Sequence, residues 1–265
     1  MSVPAPSSTN CAVVTGASGG IGKALAEELA ARGYALVLTA RSGDVLGALA
    51  ARLTAEYGVV AEVRVADLAS PAARQALCDE LAARDVAILC NNAGTATFGP
   101  LSALPATGEQ AQVQLNAVAV HDLTLAVLPG MLRRGGGGIL TSGSAAGNMP
   151  IPFNATYAAT KAFANTFSES LRGELKDTGV HVTLLAPGPV RGEAPADPSL
   201  VDRLVPDFLW VDTAHTARLS LDALSRNKMR VVPGVLSKGM SVAGGYSPRA
   251  AVAPIVGRFY RKLGG

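Results

Sequence analysis

The sequence predicts a single α/β domain: a doubly wound parallel sheet of about seven strands with helices on both faces. Short β-branched runs alternate with longer segments rich in alanine, leucine, glutamate and arginine, at the spacing of βαβ units. The strand-like runs are apolar throughout, as expected where helices cover both faces of a sheet. No linker or repeat divides the 265 residues, a length that suits one large domain.

The elements follow in order along the chain. Strands are predicted at 11–15, 35–40, 61–67, 86–92, 137–142 and 180–187, with a last strand at 229–233. Helices are predicted at 22–33, 45–57, 71–84, 107–134 and 155–178, and further helices near 198–206 and 213–226. Gly33 closes the first helix, and Pro71 stands in the first turn of the third, where its missing N–H costs little.

The composition narrows the classes of function. Hydrophobic residues make up 49% and charged residues 16% of the chain, yet no apolar run approaches the ~20 residues of a membrane span. The excess apolar surface must therefore enter a core, a subunit interface or a lipophilic pocket. Basic residues are scattered around a net charge of +3, apart from Arg133–Arg134 and 258–262, so no nucleic-acid partner is predicted. The start lacks the regions of a secretion signal, and the cysteines lack a CxxC motif, so we expect a cytoplasmic location.

A glycine-rich turn, TGASGGIG, joins the first strand to the first helix. This setting allows backbone N–H groups to cradle a phosphate. Gly16 permits the tight turn, Gly20 lets the backbone approach a pyrophosphate, and Gly22 lets the helix pack on the sheet. The start of the helix 22–33, with Ile21 directly before it as a further candidate contact, offers free N–H groups and the positive end of its dipole. We therefore expect a Rossmann-like site for a dinucleotide, the alternative being a merely structural glycine turn.

The residue after the second strand bears on the choice of dinucleotide. NAD-preferring folds often place Asp or Glu here to bind the ribose 2′-OH, whereas an arginine accommodates the 2′-phosphate of NADP. This chain has Arg41, with Ser18 in the glycine turn as a second candidate contact, while Asp44 lies beyond the strand end. The sequence therefore favours NADP(H), the alternative being a surface arginine.

Two further motifs lie at strand ends, where ligands of such sheets bind. An aspartate and a leucine after the third strand are candidates to hold adenine, although the aspartate is equally a candidate helix N-cap. After the fourth strand, the amides of NNAG can tie neighbouring strand ends together, and its small residues leave room for the cofactor. The predicted cofactor contacts are Asp67, Leu68, Asn92, Ala93 and Gly94.

A tyrosine and a lysine stand near the start of the predicted helix 155–178. Tyr157 and Lys161 are four residues apart and share one helix face. Ser144 precedes the tyrosine by thirteen residues, and Asn116 lies within the long preceding helix. A nearby ammonium favours phenolate, so we expect Lys161 to lower the pKa of Tyr157 toward working pH, as suits a general acid–base group. A surface pair is the alternative.

With TGASGGIG, NNAG and YAATK at these spacings, residues 10–235 resemble the short-chain dehydrogenase/reductase family. The resemblance implies an NADP-dependent oxidoreductase acting on ketones or alcohols, assembled as a homodimer or homotetramer. It implies that Tyr157 exchanges the proton and that Ser144 binds the substrate oxygen. Lys161 would also hold the nicotinamide ribose, and Asn116 would hold a water that links Lys161 to solvent, through a helix kink or a free carbonyl.

The stretch APGPV after the sixth strand resembles the family's nicotinamide cradle, which implies contacts from Pro187, Gly188 and Val190. The chain departs from the family at Gly192, where a threonine often stands. That departure puts one contact with the carboxamide or phosphates in doubt, and not the fold.

Longer segments, among them LVPDFLW and RNKMRVVPG, resemble the mycolate reductases of mycolic-acid-making actinobacteria, a branch of this family. The likeness implies reduction of the 3-oxo group of a long-chain acyl lipid. Another apolar ketone or alcohol stays open as the substrate. A non-catalytic NADPH sensor would have no reason to keep the catalytic residues in register, and an epimerase or dehydratase of sugar nucleotides usually needs a longer C-terminal domain.

We therefore divide the chain into three parts: a disordered lead-in at 1–10, an NADP-binding catalytic domain at 11–235, and a tail at 236–265. The tail is expected to pack on the domain, a subunit interface or the substrate pocket. The tail carries cations beside an apolar stripe, so a peripheral contact with the inner membrane surface is an open alternative. The three histidines do not cluster with carboxylates or thiols, so no metal site is predicted.

Overall fold

The computed structural model describes residues 3–188, 190–191, 210–234, 254 and 256–257. The predicted helix near 198–206, the departure at Gly192 and most of the C-terminal tail lie outside these residues.

Seven strands of the described chain form one parallel sheet. They are β1 Cys11–Thr15, β2 Ala35–Ala40, β3 Ala61–Val65, β4 Val86–Asn91, β5 Gly137–Ser142, β6 Val180–Leu185 and β9 Arg230–Val231. Two short strands, β7 Val190–Arg191 and β8 Val211–Asp212, pair with each other in a separate ladder. The predicted parallel sheet is confirmed, and the predicted strands differ from the observed ones only at their ends.

The helices alternate with the strands as predicted. They are α1 Gly20–Ala31, α2 Gly43–Tyr57, α3 Pro71–Ala82, α4 Ala106–Val113, α5 Ala119–Arg134, α6 Ala155–Glu174 and α7 Thr213–Ser225. A π-helical segment, Gln114–Val118, joins α4 to α5, so the predicted helix 107–134 is one rod with a widened turn in its interior. Ala145–Asn148 forms a short 3₁₀ helix after β5.

The sheet buries both of its faces. Along β1, Ala12 and Val14 join the cluster formed with α1, α2 and α7, whereas Cys11 and Val13 join the cluster formed with α3, α5 and α6. Because successive side chains of a strand point to opposite faces, a strand covered on both sides is apolar at every position. This packing explains the uninterrupted apolar runs in the sequence.

The strand order β3-β2-β1-β4-β5-β6-β9 reverses direction between β1 and β4. The chain moves outward from β1 on one side and from β4 on the other, so the loops that follow these two strands diverge. A crevice therefore opens at their carboxyl ends, the usual place for a ligand in a doubly wound sheet.

Residues 3–10, part of the stretch predicted as a lead-in, make contacts with the domain. The Tyr34 hydroxyl donates to the Pro4 carbonyl at 2.7 Å, and Val3 packs against the core on the α1 side. The Asn10 amide donates to the Ala5 carbonyl at 2.9 Å and closes a turn. Proline restricts the backbone conformations of such a stretch, which lowers the entropy lost on docking.

The continuous helix 106–134 is, by length and mean hydropathy, the one described helix that could cross a membrane. Half of its most apolar stretch is buried within the protein. Gln112, Asn116 and Thr124 are buried along it, and α5 packs on α3 and on the sheet. These contacts are those of a core helix in a folded domain.

Candidate active site

The glycine turn places backbone close to the neighbouring strand end. Gly16 and Gly20 have positive φ angles of 66° and 52°, which favour glycine. The Gly16 and Ala17 N–H groups both donate to the Thr39 carbonyl, at 2.8 and 3.2 Å, and so bind the turn to β2. A Cβ at Gly22 would lie 2.1 Å from the Gly16 carbonyl oxygen, so only glycine fits where α1 leaves the turn.

Asn92 ties three strand ends together beside this turn. Its backbone N–H and that of Ala93 donate to the Thr15 hydroxyl, at 2.8 and 2.9 Å. Its side-chain amide donates to the Thr15 carbonyl at 3.0 Å and accepts from the Ser142 hydroxyl at 3.1 Å. The carboxyl ends of β1, β4 and β5 are thereby held in one fixed arrangement.

A cleft of about 440 Å³ opens at these strand ends. The predicted cofactor residues that line it are Gly16, Ser18, Arg41, Asp67, Leu68, Asn92, Ala93 and Gly94. Arg41 is exposed and lines the cleft together with Ser18, as a 2′-phosphate contact requires. The remaining predicted contacts do not line this cleft: Gly20, Ile21 and Gly22 begin α1, Tyr157 and Lys161 lie on α6, and Pro187, Gly188 and Val190 follow β6.

The adenine-side motif has a more structural arrangement than its sequence suggested. Ser70, and not Asp67, caps α3, and the Asp67 carboxylate accepts from the Ala69 N–H at 3.0 Å. The Leu68 carbonyl accepts from the Arg74 guanidinium at 2.9 Å. That bond uses one lone pair of the carbonyl, so Leu68 can still offer its second lone pair to an adenine.

The catalytic candidates meet where α6 passes the end of β5. The Lys161 ammonium donates to the Ser142 carbonyl at 2.7 Å and lies 5.7 Å from the centroid of the Tyr157 ring. The Ser144 side chain hydrogen-bonds Tyr157. The Ser144 oxygen also accepts from the Ala146 N–H at 3.1 Å, which leaves its own proton free to be donated.

The expected lowering of the Tyr157 pKa is wrong for this arrangement. Burial raises the pKa of Tyr157 above its ordinary value because the phenolate loses its hydration, and the hydrogen bond from Ser144 opposes this shift without cancelling it. Burial also lowers the pKa of Lys161 to about 8. The spacing of four residues predicted a shared face, but it carried no information on how deeply the two groups are buried.

Asn116 lies in the π-helical segment and holds the loop that follows NNAG. Its side-chain oxygen accepts from the Thr95 N–H at 3.0 Å, and its amide donates to the Thr95 carbonyl at 2.8 Å and to the Thr160 hydroxyl at 3.2 Å. A Cβ on Gly94 would lie 3.3 Å from the Asn116 oxygen and 3.4 Å from the Lys161 nitrogen. Asn116 and Lys161 therefore approach the same point from two helices.

Sequence reasoning missed two asparagines in this region. Asn165 bonds both backbone groups of Ser144; its spacing of four residues from Lys161 was the available signal. Asn154 precedes α6 in the N-cap position, yet its amide makes no cap bond and donates instead to the Thr97 carbonyl. No local pattern indicated that second contact.

No group of three or more histidine, cysteine, aspartate or glutamate side chains within the described parts of the chain could hold a metal ion. The described groups around Tyr157 are instead hydroxyls, amides and one ammonium. Such a set suits proton transfer and the binding of an organic cofactor.

Residues 10–198 match the family model described as short chain dehydrogenase. The chain belongs to the short-chain dehydrogenase family. The family resemblance inferred from the motifs is thus confirmed.

This short-chain dehydrogenase is 39% identical over 185 residues to the very-long-chain 3-oxoacyl-CoA reductase of Anas platyrhynchos. The alignment covers 66% of this chain and 58% of the relative, so the chain spans less than two thirds of that relative's length. The named activity concerns a long-chain acyl-CoA, so it does not single out a mycolate precursor.

Two solved structures share the fold over most of both chains. A short-chain dehydrogenase from Sphingobium yanoikuyae, solved in complex with NADPH, is 33% identical, with a TM-score of 0.79 over 92% of this chain and 94% of that one. The bulky-bulky ketone specific alcohol dehydrogenase from Comamonas testosteroni is 28% identical, with a TM-score of 0.77 over 91% and 96%. The Rossmann-like fold expected from the glycine turn is therefore confirmed.

Proposed function

We propose that this protein is an NADPH-dependent reductase that converts a ketone to a secondary alcohol. One observation carries the proposal: Ser144, Tyr157 and Lys161 converge beside the cleft that Arg41 lines. The related dehydrogenase solved with NADPH supports the choice of cofactor.

The residues at the cleft fit the proposed cofactor. The positive φ of Gly16 and the absence of a Cβ at Gly22 bring backbone N–H groups to the start of α1, where a pyrophosphate binds well. Arg41 and Ser18 would hold the 2′-phosphate, and Lys161 the nicotinamide ribose. When bound, NADPH supplies the hydride, and the protein provides position and a proton.

Tyr157 serves as the proton donor in this proposal. A phenol whose pKa is raised by burial stays protonated at neutral pH, and a protonated acid is the form that ketone reduction requires. Ser144 donates its hydroxyl proton to the substrate oxygen and so holds the carbonyl beside Tyr157. Asn116 and Lys161 face one another across Gly94, where the family resemblance implies a water that returns the proton from solvent.

The proposed substrate is the 3-oxo group of a long-chain acyl lipid, and more narrowly a mycolate precursor. The long-chain reductase relatives support the broader class. An apolar cluster of Ala146, Ile151 and Ala158, with Met149 and Val256 packed against it, adjoins Tyr157 and offers an alkyl chain suitable surroundings. The narrower assignment rests on the sequence likeness to mycolate reductases.

Loss of NADPH absorbance with 3-oxoacyl thioesters of short and long chain tests the activity. We expect turnover that increases with chain length; absence of turnover with every ketone would overturn the reductase assignment. The lipids of cells that lack the protein test the substrate. Accumulated 3-oxo-mycolates would support the narrower proposal, and accumulation of unbranched 3-oxoacyl lipids alone would refute it.

We also propose that the protein forms a homodimer or homotetramer in the cytoplasm. Leu125 on α5 and Phe163 on α6 are exposed apolar residues, and Phe163 stacks on Phe167, so this surface would gain from being covered by a second copy. Sedimentation measures the assembly. Cell fractionation tests whether the protein also contacts the inner membrane surface through its tail.

A further inference from the structure

Helix α6 carries a third polar residue on its active-site face. Asn165 follows Lys161 by four residues and Tyr157 by eight, so all three lie on one side of the helix. Asn165 is only 3% exposed. A carboxamide at this depth needs hydrogen-bond partners, because an unpaired buried polar group destabilises the fold.

The partners of Asn165 are the two backbone groups of Ser144. Its side-chain oxygen accepts from the Ser144 N–H at 3.3 Å, and its amide donates to the Ser144 carbonyl at 3.0 Å. Two residues earlier, at the end of β5, the Ser142 carbonyl accepts from Lys161. Consecutive turns of α6 thus hold both ends of the segment 142–144.

Gly143 and Gly147 pack closely against the Asn165 carboxamide. A Cβ at Gly143 would lie 2.1 Å from the Asn165 side-chain oxygen, and a Cβ at Gly147 would lie 2.6 Å from its nitrogen. Neither position could carry a side chain unless Asn165 moved. The loop therefore touches the carboxamide on both sides, and any displacement of Asn165 is transmitted to Ser144.

Asn165 has a further hydrogen-bond partner, Asn148, which in turn binds Arg230. The Asn148 side-chain oxygen accepts from Asn165 at 3.1 Å and from the Arg230 guanidinium at 3.4 Å. Arg230 forms an ion pair with Glu169 at 2.9 Å, four residues beyond Asn165 on α6. This chain of contacts links the loop, α6 and β9, so the Asn165 side chain has little freedom to rotate.

We propose that Asn165 is a positioning residue that sets the place of the Ser144 hydroxyl relative to Tyr157. The inference rests on the proposed reductase function. Asn165 holds the Ser144 backbone, the Ala146 N–H holds the Ser144 oxygen, and the single hydroxyl proton, which faces Tyr157 in the free protein, is left for the substrate oxygen when a ketone binds. Asn165 itself contacts no reacting atom.

The test compares Asn165→Ala and Asn165→Asp with Ser168→Ala. Asn165→Asp keeps the shape but turns a carboxylate oxygen toward the Ser144 carbonyl. Ser168 is a matched control, because it is buried on the same helix and, among the described residues, its hydroxyl bonds only the Ala164 carbonyl. We expect both Asn165 variants to lose kcat by roughly 10- to 100-fold, the scale of a misplaced catalytic group, with unchanged NADPH affinity. The control should stay within a few-fold of the parent.

A double-mutant cycle with Ser144→Ala separates positioning from general stability. If Asn165 acts through Ser144, either Asn165 variant costs little further kcat once Ser144 is alanine. Additive losses, or losses matched by a fall in NADPH affinity and melting temperature, would overturn the proposal. If Asn165→Ala does not fold, the near-isosteric Asn165→Asp carries the comparison.

Amide hydrogen exchange gives a readout without substrate. Faster exchange at residues 143–148 in Asn165→Asp, with exchange in β5 unchanged, is the expected result, and parent-like exchange would contradict it. A parent enzyme inactive on every ketone would overturn the proposed function and leave this exchange result to decide the role of Asn165.

Discussion

Tyr157 and Lys161 are both shifted toward their neutral forms by burial. The pKa of the phenol is raised, and the pKa of the ammonium is lowered to about 8. A pair on a helix surface would show neither shift, because water would solvate both charges. The chemistry of this pair therefore depends as much on its depth as on its spacing.

Replacing Tyr157 with phenylalanine removes the proton donor and keeps the ring. We expect kcat for ketone reduction to fall by about 100-fold or more, the usual scale for a positioned acid. NADPH should still bind, since the cleft residues are untouched. Steady-state kinetics and a binding titration measure the two effects, and a variant within a few-fold of the parent would exclude Tyr157 as the donor.

In the absence of cofactor, Lys161→Met should raise the free energy of unfolding, and the size of this increase should depend on pH. The folded-state pKa of about 8 lies below the ordinary value of 10.5, so between them the unfolded chain binds more protons and stability rises with pH. Burial of the ammonium therefore destabilises the folded protein in full below pH 8. This destabilisation amounts to roughly 3 kcal/mol, from which the stabilisation by the hydrogen bond to Ser142 must be subtracted.

Denaturant unfolding over a series of pH values measures this effect. The advantage of Lys161→Met should be largest near neutral pH and should vanish as the pH approaches 10.5. Lys23→Met, an exposed lysine on α1, is the control and should show no such trend. A pH-independent difference for Lys161→Met would contradict the lowered pKa.

Arg41→Asp should reverse the cofactor preference. An exposed guanidinium at the cleft offers charge-assisted bonds to a 2′-phosphate, and its loss should weaken NADPH binding by roughly 10- to 100-fold. An aspartate there can bind the ribose 2′-OH of NADH instead. The ratio of KM values for the two cofactors is the measurement, and an unchanged ratio would remove Arg41 from the site.

At the scale of elements, the glycine turn is defined by contacts that a single methyl group would break. Gly22→Ala would place its Cβ against the Gly16 carbonyl and the Asn92 amide. We expect a loss of about 2 kcal/mol or more in the free energy of unfolding, together with weaker NADPH binding. Chemical denaturation and cofactor titration measure both.

Gly47→Ala is the matched control. Gly47 lies in the interior of α2, is exposed, and has open space where a Cβ would be. Because glycine is a poor helix former, this change should stabilise the protein by about 0.5–1 kcal/mol. Equal destabilisation by both alanines would show that the clash at Gly22 is not the cause.

Local patterns predicted the elements well, and side-chain networks poorly. An apolar run, or a residue such as Gly33 or Pro71 at a helix end, indicates the structure of its own segment alone. The strands and helices could therefore be derived from the sequence. The bond between Asn165 and Ser144 joins residues 21 positions apart and depends on how α6 lies against the loop. The π-helical turn at Asn116 is likewise set by tertiary packing, because no residue type there encodes it.

At the scale of the molecule, residues 256–257 of the C-terminal tail contact the active-site region. Val256 packs against the cluster that contains Ile151, and the backbone at Gly257 lies against Pro152. Deletion after Gly245 removes these contacts. We expect activity on a long 3-oxo ester to fall more than activity on a short one, because an alkyl chain would lose part of its apolar surroundings.

Sedimentation of the same truncated protein is the necessary companion measurement. A smaller assembly with parallel loss on both esters would assign the tail to a subunit interface, and would contradict the expected dependence on chain length. Equal activity on both esters in an unchanged assembly would show that neither role applies.

The π-helical turn also limits how this protein can vary in length. A π-helical turn holds one residue more than an α-helical turn, so deleting one residue between Gln114 and Val118 would let this turn close into regular α-helix. Leu123, Val127 and Met131 on α5 would keep facing the core, whereas Asn116 would lose the backbone position from which it bonds Thr95. A single-codon deletion in this turn would therefore spare the core and cost the site the contacts of Asn116, so the residue count of this helix is set by the active site.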